Sequence, residues 1–390
     1  IGTMEKVCIG LIGTGGRLRV VYQEVLSATD QLEVRGVCDP SDENRNKALE
    51  MFNKNAKVYA DYHDLVKDPS IDWVMIGSYN CFHAEQVIAA FKAGKNVFCE
   101  KPLALSVEDC VAMRKAWQKS GKQFTIGFTL RYSPHYRKIK KMIDDGMLGD
   151  IISMEFNETL DFNHGGFIHA DWRRRMEWAG SHLLEKCCHD VDLTNMMLGS
   201  VATRVASFGS CRFFVPGNEK LVKEVGPNPE NGNVAFCWGR SESTHSGKSP
   251  FVADKDILDN QVAILQYANG VNVTFHTNCS TLIPERRMYI CGSHGTLRAD
   301  VLTGKIEYRK LGWKTPREDF GTSGSGGHGG GDSILGQSLA ATILRGEPSV
   351  TSSEDGLKSA VTCFGIYMAQ ATGKVVDMAP FCKKAGVEMV

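Results

Sequence analysis

The sequence predicts an α/β protein whose first part differs in pattern from its second. Over residues 4–130, short apolar runs alternate with amphipathic helical stretches, which is typical of a parallel, doubly wound sheet. After residue 260, strand-like runs follow one another with only turns between them, and this predicts an α+β region. A length of 390 residues fits two domains or three. We therefore expect one domain over 4–130 and a second over 131–390.

Composition argues against several classes of function. Lys and Arg together number 45, as do Asp and Glu, so the formal net charge is zero. This balance gives no support for a nucleic-acid partner or for binding to a membrane surface. No apolar run is long enough to span a bilayer. The 13 cysteines are scattered, several within apolar runs, which favours buried free thiols in a reducing, cytoplasmic compartment.

A glycine turn precedes the first helix. Residues 6–12 have the pattern of a buried strand, and the turn after them contains Gly13, Thr14, Gly15, Gly16 and Arg17. Gly13 permits a tight turn, and Gly15 lets the backbone approach a pyrophosphate at the N-terminus of helix 19–28, where N–H groups and the dipole favour an anion. Leu18 replaces the third glycine of G-x-G-x-x-G, so helix and strand are expected to pack less closely.

Asp39 ends the second predicted strand, 32–38. It follows the glycine turn by about 20 residues, the spacing at which an acid binds the ribose hydroxyls of a dinucleotide. Because a carboxylate repels a 2′-phosphate, NAD is favoured over NADP. Arg45 is able to reach a phosphate and keeps NADP as the less favoured alternative. Asp39 also suits the N-cap of helix 41–52, a role compatible with cofactor binding.

The best candidate for proton transfer follows another buried strand, 97–99. This strand ends in Glu100, Lys101 and Pro102. Pro102 stops the strand because it has no N–H to donate. Lys101 is therefore fixed at the C-terminal end of a strand, where ligands bind in open α/β sheets. A lysine in such a partly dry site shuttles a proton near neutral pH. The alternative is an ordinary surface Glu–Lys pair.

A second cluster of titratable side chains lies at 180–192, which reads as the start of a helix. Glu185, His189 and Asp192 are spaced i, i+4 and i+7 and so share one helix face. A carboxylate one turn before a histidine holds its tautomer and raises its basicity. His189 is thus a candidate general base for a substrate hydroxyl, with Glu185 as its orienting partner. Lys186 lies off this face but is a candidate for the border of the same pocket.

Four metal-ligand residue types are adjacent in this stretch, namely Cys187, Cys188, His189 and Asp190. Side chains of adjacent helical residues diverge, so they do not close one tetrahedral site as a C-x-x-C pair does. We therefore expect no metal.

Three further segments leave alternatives open. Trp172 and Arg173 form either part of a surface basic run or an aromatic plate and guanidinium in a sugar pocket. Residues 200–260, rich in Gly, Pro, Asn and Ser, are expected to form a long loop excursion that serves as a lid or an oligomer arm. The glycines of 321–331 around His328 form either a flexible connector or a backbone pressed against a ligand, with His328 reaching the sugar.

The last third of the chain contains one clear hairpin and two clear helices. Residues 260–278 read as two strands around an Asn269–Gly270 turn. Residues 333–344 and 354–370 are amphipathic helices. We expect these helices to pack back on the first domain.

These pieces together resemble the Gfo/Idh/MocA family, which includes glucose-fructose oxidoreductase and inositol dehydrogenases. The matching motifs are Gly13-x-Gly15, Cys38-Asp39, Ser78-x-Asn80-x-x-His83, Gly94-Lys95-x-Val97-x-x-Glu100-Lys101-Pro102-Leu103, Gly127-Phe128-x-x-Arg131, Gly146-x-x-Gly149, His189-x-x-Asp192, Gly292-x-x-Gly295-Thr296 and Thr351 to Gly356. The resemblance covers nearly the whole chain. It implies an N-terminal Rossmann domain and a C-terminal α+β domain with a large, open, mostly antiparallel sheet. That sheet often forms homodimers or homotetramers in the family.

The resemblance also implies roles for individual residues. Implied cofactor contacts are Gly13, Thr14, Gly15, Gly16, Arg17, Asp39, Ser78, Asn80, His83, Glu100 and Lys101. Implied substrate contacts are Lys101, Arg131, Trp172, Arg173, Glu185, Lys186 and His189. His83 has a second interpretation, as an N-terminal residue of helix 84–93. The sequence departs from the family at residues 78 and 79, where Thr-Pro is usual, and at Glu185, where Asp is usual.

The expected function is NAD-dependent hydride transfer at a secondary alcohol of a sugar, inositol or other polyol. Lys101, His189 and Glu185 are the expected catalytic residues. One alternative is an NAD-dependent glycosidase or lyase that transiently oxidises C3 and eliminates a leaving group. Another is an NAD-binding regulator without catalysis.

Overall fold

The structure is a computed structural model that describes residues 6–237, 248–321 and 326–390. The chain divides into two compact units. The first unit comprises residues 1–134 and 324–360, and the second comprises 135–323 and 361–390.

The first unit is built on a six-stranded sheet. Its elements up to residue 126 are, in chain order, β1 (Val7–Ile12), α1 (Gly16–Ala28), β2 (Leu32–Cys38), α2 (Asp42–Phe52), β3 (Lys57–Val58), α3 (Tyr62–Lys67), β4 (Trp73–Ile76), α4 (His83–Lys92), β5 (Asn96–Cys99), α5 (Val107–Ser120) and β6 (Phe124–Ile126). The strand order is β3-β2-β1-β4-β5-β6, and every pair is parallel. This confirms the doubly wound sheet, whose order reverses beside β1.

The remaining elements include the strands of a second, nine-stranded sheet. They are, in chain order, α6 (Pro134–Asp144), β7 (Ile151–Asp161), α7 (Phe162–Ala170), α8 (Met176–Ala179), α9 (His182–Glu185), α10 (Cys188–Leu198), β8 (Ala202–Ser210), α11 (Leu221–Val225), β9 (Asn260–Tyr267), β10 (Asn272–Thr281), β11 (Arg287–Gly292), β12 (Gly295–Asp300), β13 (Lys305–Lys310), β14 (Arg317–Asp319), α12 (Gly331–Arg345), α13 (Ser353–Thr372), β15 (Val376–Asp377) and α14 (Ala379–Ala385).

The sheet of the second unit has the order β14-β13-β12-β11-β7-β10-β9-β8-β15. Its strand pairs are antiparallel except for β7 and β10, which run parallel. This confirms a mostly antiparallel second sheet. The predicted hairpin is β9 and β10, whose turn contains Gly270 at φ +88°.

Part of the expected 200–260 excursion is wrong. The segment begins with a nine-residue strand, β8, which pairs with β9 along its length. Small residues and the 71% exposed Phe208 weaken the alternating pattern that marks a half-buried strand, so the sequence conceals it. Residues 238–247 lie outside the described part of the chain.

Helix α12 belongs to the first unit although it follows the second sheet in sequence. Leu335, Leu339 and Ile343 lie in the same apolar core as Val21 and Val25 of α1. Gly336 allows the approach, because a Cβ there would lie 2.5 Å from the Glu24 carbonyl carbon. Across the residues described, no helix combines the length and the apolarity needed to cross a bilayer.

Candidate active-site residues in the two units

The glycine turn leaves an open cradle at the start of α1. Gly13 has φ +73°, and a Cβ there would lie 2.3 Å from the Ser78 amide nitrogen, so only glycine fits. Gly15 is the N-cap of α1 and makes no side-chain cap bond. A Cβ on Gly15 or Gly16 would meet nothing within 4 Å. The start of α1 therefore has open space beside Gly15 and Gly16, and its unpaired first-turn N–H groups suit the pyrophosphate of a dinucleotide.

Leu18 does not loosen the packing of α1 on the sheet. Its side chain is buried, and a Cβ on Gly77 would lie only 2.6 Å from the Leu18 Cβ. Gly77, directly after β4, thus supplies the close approach that the third glycine of the pattern usually provides. The expectation of looser packing is wrong because the small residue in the contact between α1 and the sheet is Gly77, on the side of the sheet, and not residue 18 of the helix.

Asp39 is fixed at the carboxyl end of β2, where the sequence places it. Its Oδ2 accepts from the Thr14 amide at 2.7 Å, and its Oδ1 accepts from the Ser41 amide at 2.8 Å. Ser41, not Asp39, is the N-cap of α2. Arg45 donates to the Asp39 carbonyl oxygen and forms an ion pair with Asp42. The carboxylate therefore joins the glycine turn to β2, in a position that suits ribose hydroxyls.

Glu100 and Arg17 bind each other at the end of β5. Arg17 Nε donates to Glu100 Oε1 across 3.1 Å, and the Lys101 amide donates to Glu100 Oε2 across 3.2 Å. Glu100 is buried and Lys101 is half-buried. The peptide between Lys101 and Pro102 is cis. The pair fixes the position of the backbone that carries Lys101 at the carboxyl edge of the parallel sheet.

His83 links the turn after β4 to the turn after β5. It is buried, and its Nδ1 and Nε2 lie 2.8 Å from the Pro102 carbonyl and 3.2 Å from the Ser78 carbonyl. Burial lowers the pKa of the ring, so it is neutral at physiological pH. Helix α4 begins at His83, which confirms its interpretation as a helix-terminal residue. Asn80, also buried, opens the short 3-10 turn before it.

Arg131 has a partner within the first unit. Its Nη2 lies 3.1 Å from Asp355 Oδ1, and only 12% of its side chain is exposed. This ion pair joins the segment after β6 to the start of α13. A substrate contact by Arg131 therefore remains a prediction.

In the second unit, Arg173 holds two carboxylates. Its Nη1 donates to Asp171 Oδ2 at 2.6 Å and its Nε donates to Glu185 Oε1 at 3.1 Å. Its guanidinium carbon also lies 4.5 Å from the centre of the Trp172 ring. Burial raises the pKa of Asp171 to about 6 although Arg173 opposes the shift. The surface-run interpretation of 172–175 is wrong for Arg173 and Arg174, because Arg173 pairs with two buried carboxylates and the Arg174 side chain is itself buried.

The predicted single helix of 180–192 is two helices. Helix α9 ends at Glu185, and α10 begins at Cys188. Cys187 leaves helical geometry with ψ 1°, and its carbonyl accepts from the Asp190 amide at 3.0 Å. The one-face spacing argument assumes an unbroken helix, so the orientation of His189 by Glu185 remains a prediction. Glu185 and His189 are both buried.

A buried charge cluster, absent from the sequence-based prediction, adjoins Lys186. Arg286 contacts Asp190 Oδ2 at 2.7 Å and Glu158 Oε2 at 3.2 Å, and Lys186 Nζ lies 3.5 Å from Glu158 Oε1. Burial raises the pKa of Asp190 to about 7, with Arg286 opposing the shift. The sequence contained one signal for this cluster. Glu158 is separated from Met154 and Phe156 by an even number of residues along β7, so it lies on the same buried face of the sheet.

The same cluster contains a set of metal-ligand atoms. Ligand atoms of Glu158, Cys187 and Asp190 lie within 4.8 Å of one another, and no other such group occurs among the residues the structure describes. Arg286 and Lys186 already neutralise the two carboxylates. Burial also raises the pKa of Cys187 well above its usual range, which keeps the thiol protonated. The donor set therefore does not fit a divalent cation.

His164 is a further residue that sequence reasoning missed. It lies in α7 near Lys186 and Arg173. Burial and these two cations lower its pKa to about 2, so the ring is neutral. A neutral imidazole beside two cations offers both a donor and an acceptor to a hydroxyl-rich ligand.

Two sequence models of one family match the chain. The oxidoreductase family model named Gfo/Idh/MocA, NAD-binding Rossmann fold, matches residues 7–128. The model of the family's C-terminal alpha/beta domain matches residues 140–378.

Curated relatives cover part of the chain. Inositol 2-dehydrogenase of Salmonella typhimurium is 40% identical over 217 residues, 55% of this chain and 58% of that protein. The 2,7-anhydro-N-acetylneuraminate hydratase of Escherichia coli is 27% identical over 293 residues, 75% of this chain and 67% of that protein. The chain thus spans little more than half the length of the inositol dehydrogenases it matches.

Solved structures agree over nearly the full length. Levoglucosan dehydrogenase in complex with NADH and levoglucosan matches with a TM-score of 0.76 and 20% identity, covering 96% of this chain and 100% of that one. At this identity the likeness establishes the fold.

Proposed function

We propose that this chain, which belongs to the Gfo/Idh/MocA oxidoreductase family, transfers hydride between NAD and a secondary alcohol of a sugar, inositol or other polyol. The observation that carries the proposal is the end of β5, where the Arg17–Glu100 pair fixes the backbone of a half-buried Lys101 at the carboxyl edge of the sheet. Ligands bind at this edge in open α/β sheets, and a partly dry lysine titrates readily. An inositol 2-dehydrogenase and a levoglucosan dehydrogenase among the related proteins support the same substrate class.

The proton steps are assigned to residues of this chain. Bound NAD supplies the ring that exchanges hydride with the carbinol carbon. Lys101 Nζ and the His189 ring hold and move the proton of the reacting hydroxyl. Glu185, whose carboxylate is held by Arg173, sets the tautomer and orientation of His189.

NAD is the proposed cofactor, with NADP less favoured. The Asp39 carboxylate lies where ribose hydroxyls bind and repels a 2′-phosphate. Arg45, in the first turn of α2 after Asp39, is engaged by Asp42 and by the Asp39 carbonyl. A phosphate would have to compete with both contacts. Binding of Ser78, Asn80 and His83 to the cofactor is part of the proposal.

A redox lyase or glycosidase is the second candidate. One relative is a 2,7-anhydro-N-acetylneuraminate hydratase. Proteins similar to this chain therefore include one that is named for a reaction other than dehydrogenation. In this alternative, transient oxidation of a C3 hydroxyl acidifies the neighbouring C–H, the leaving group departs, and hydride returns. The half-buried Lys186 and the neutral His164 add polar contacts that suit a larger glycoside.

The proposal also includes the class of ligand, the cellular location and the oligomeric state. The partner is a small carbohydrate or polyol, and Trp172, Arg173 and Lys186 contribute to its binding. The cytoplasm is the proposed location because buried thiols such as Cys99, Cys110 and Cys279 are free. A homodimer or homotetramer follows from the family's usual use of the open sheet.

One assay with two readouts tests the proposal. The protein is incubated with NAD or NADP and a panel of inositols, aldoses, uronates and aryl glycosides, while reduced nicotinamide and released aglycone are followed together. Reduced nicotinamide that rises with one carbohydrate and is lost in Lys101→Ala supports the dehydrogenase. Aglycone release without net reduction supports the second candidate. Binding of NAD without turnover of any substrate would leave a regulator as the remaining interpretation.

A further inference from the structure

His328 lies in a tight turn that directly precedes α12. Residues Gly327–Gly330 form a 3-10 turn in which His328 and Gly329 adopt left-handed backbone angles, with φ of 54° and 60°. Residues with a side chain seldom take this conformation, so the surrounding structure must hold it. In the described ranges, Phe236 is the only other non-glycine residue with positive φ.

Three contacts fix this turn to the first unit. Asp332 Oδ1 lies 2.8 Å from Arg17 Nη1. Ser133 Oγ donates to the Gly329 carbonyl across 2.9 Å. Gly331 lies so close to the Thr129 carbonyl oxygen that a Cβ would be 2.5 Å from it. These contacts argue against the flexible-connector interpretation for residues 326–331, while 322–325 lie outside the described residues.

Asp332 orients the His328 ring. His328 Nδ1 lies 3.1 Å from Asp332 Oδ2, and 26% of the His328 side chain is exposed. Burial raises the pKa of Asp332, but the hydrogen bonds and charges of His328 and Arg17 outweigh it and lower the pKa to about 2. The Asp332 carboxylate at Nδ1 sets the orientation of the ring, which leaves Nε2 as the ring nitrogen that would contact a ligand.

Arg17 extends the same network along the carboxyl edge of the sheet. Its Nε donates to Glu100 Oε1 at 3.1 Å and its Nη2 donates to Thr129 Oγ1 at 2.7 Å. Glu100 follows β5 directly, and Thr129 lies just beyond β6. Because the strand order is β3-β2-β1-β4-β5-β6, the network occupies the half of the edge opposite β2, where Asp39 lies.

We propose that His328 contacts the nicotinamide-riboside part of the bound dinucleotide through Nε2, with Asp332 as its positioning residue. A dinucleotide with its adenosine ribose at Asp39 and its pyrophosphate at the start of α1 extends its other end toward β5 and β6. The oriented imidazole then meets a ribose hydroxyl or the carboxamide. The inference rests on the proposed function only in requiring that a nicotinamide dinucleotide binds.

The test compares affinities for NADH and for ADP, which lacks the nicotinamide riboside. The main variant is His328→Gly, because glycine accepts the left-handed angles and the turn is kept. Nicotinamide fluorescence and calorimetry give the affinities, and thermal unfolding reports the fold. We expect His328→Gly to weaken NADH binding by roughly twofold to tenfold, the effect of one oriented hydrogen bond, with ADP affinity and melting temperature unchanged.

Asp332→Asn and Ser133→Ala complete the set. Asp332→Asn should weaken NADH binding alone, and adding it to His328→Gly should cause little further loss, because both act through one ring. Ser133→Ala removes an anchor of the turn while leaving the ring, and serves as the control for general loosening.

Two results would overturn the inference. Equal losses for NADH and ADP would place the effect outside the nicotinamide riboside. Unchanged NADH affinity with a raised KM for the sugar would move the contact to the substrate. A wild-type protein that binds NADH but oxidises no alcohol would refute the proposed function while leaving this binding comparison intact.

Discussion

Arg173 donates to the Glu185 carboxylate across 3.1 Å, and the same guanidinium holds Asp171. Glu185 is therefore fixed by a planar fork from a residue 12 positions earlier in the chain (185 − 173). The charge that the family usually places on an aspartate is carried here by a longer side chain with its own cation. This pairing gives Arg173 a positioning role in addition to any contact with substrate.

The Arg173 fork leads to the first prediction. Arg173→Lys keeps the charge but cannot bind two carboxylates through one rigid plane. We expect kcat to fall by roughly tenfold or more as Glu185 loses its fixed orientation, with a smaller change in KM. Arg175→Lys is the matched control, because Arg175 pairs with Glu177 and not with Glu185. Equal kcat values for the two variants would show that Arg173 does not position Glu185 for catalysis.

The proposed proton-transfer residues give the second prediction. Lys101→Ala and His189→Ala should each lower kcat by roughly 100- to 10,000-fold, while NADH affinity stays near that of the wild type. Steady-state kinetics on the substrate from the panel and NADH titration make the measurement. Lys92→Ala, an exposed position at the end of α4, is the control. Near-full turnover in both variants would sink the mechanism.

Two glycines of the turn before α1 allow effects on stability to be distinguished from effects on cofactor binding. Gly13→Ala should destabilise the fold by about 1–3 kcal/mol or more, because it adds strain at φ +73° and a clash with Ser78. Gly16→Ala meets no neighbouring atom, so its melting temperature should match the wild type. If the cradle holds the pyrophosphate, Gly16→Ala will nevertheless weaken NADH. Unchanged NADH affinity in a folded Gly16→Ala protein would argue against the cradle.

The Asp190 carboxyl predicts a dependence of stability on pH. Burial raises its pKa to about 7, so the folded state keeps a proton that an unfolded aspartate releases near pH 4. Its contribution to stability is full below about pH 4 and is lost as the pH rises through about 7. Urea unfolding across this window should show a decline, and Asp190→Asn should flatten it. Asp150→Asn, an exposed carboxyl, should leave the slope as it is.

Helix α12 supplies a prediction about the first unit. Leu339 is 1% exposed within the core that also contains α1. Leu339→Ala should lower the free energy of unfolding by about 2–5 kcal/mol, measured by urea denaturation. Gln337→Ala, exposed on the same helix, should change it by less than about 0.5 kcal/mol. A loss confined to the second unit's unfolding transition would contradict this assignment.

Local pattern was sufficient to predict much of the fold. The strand–turn–helix around Gly13, the acid at Asp39 and the strand that ends at Lys101 all follow from periodicity and turn chemistry within about 30 residues. The large, mostly antiparallel second sheet was predicted from the family resemblance. Strand β8 escaped prediction because its small residues and the exposed Phe208 weaken the alternation.

Contacts between distant parts of the chain were the main omission from the predicted site. Arg286 meets Asp190 and Glu158 across about a hundred residues of sequence, and no periodicity encodes such a pairing. The break after Glu185 depends on the backbone angles of Cys187, which propensity does not specify. The link from Asp332 to Arg17 joins residues near opposite ends of the chain.

The position of α12 in the sequence also has a consequence for synthesis of the chain. The first stretch of the first unit ends at Pro134, but the helix that covers α1 is complete only at Arg345, 211 residues later (345 − 134). At roughly 5–20 residues per second, the ribosome needs about 10 to 40 seconds to supply it. During that interval the nascent sheet keeps an apolar flank of α1 uncovered. Most of the first unit is thus synthesised long before the helix that completes its core, so its exposed apolar surface is open to non-native contacts while the rest of the chain emerges.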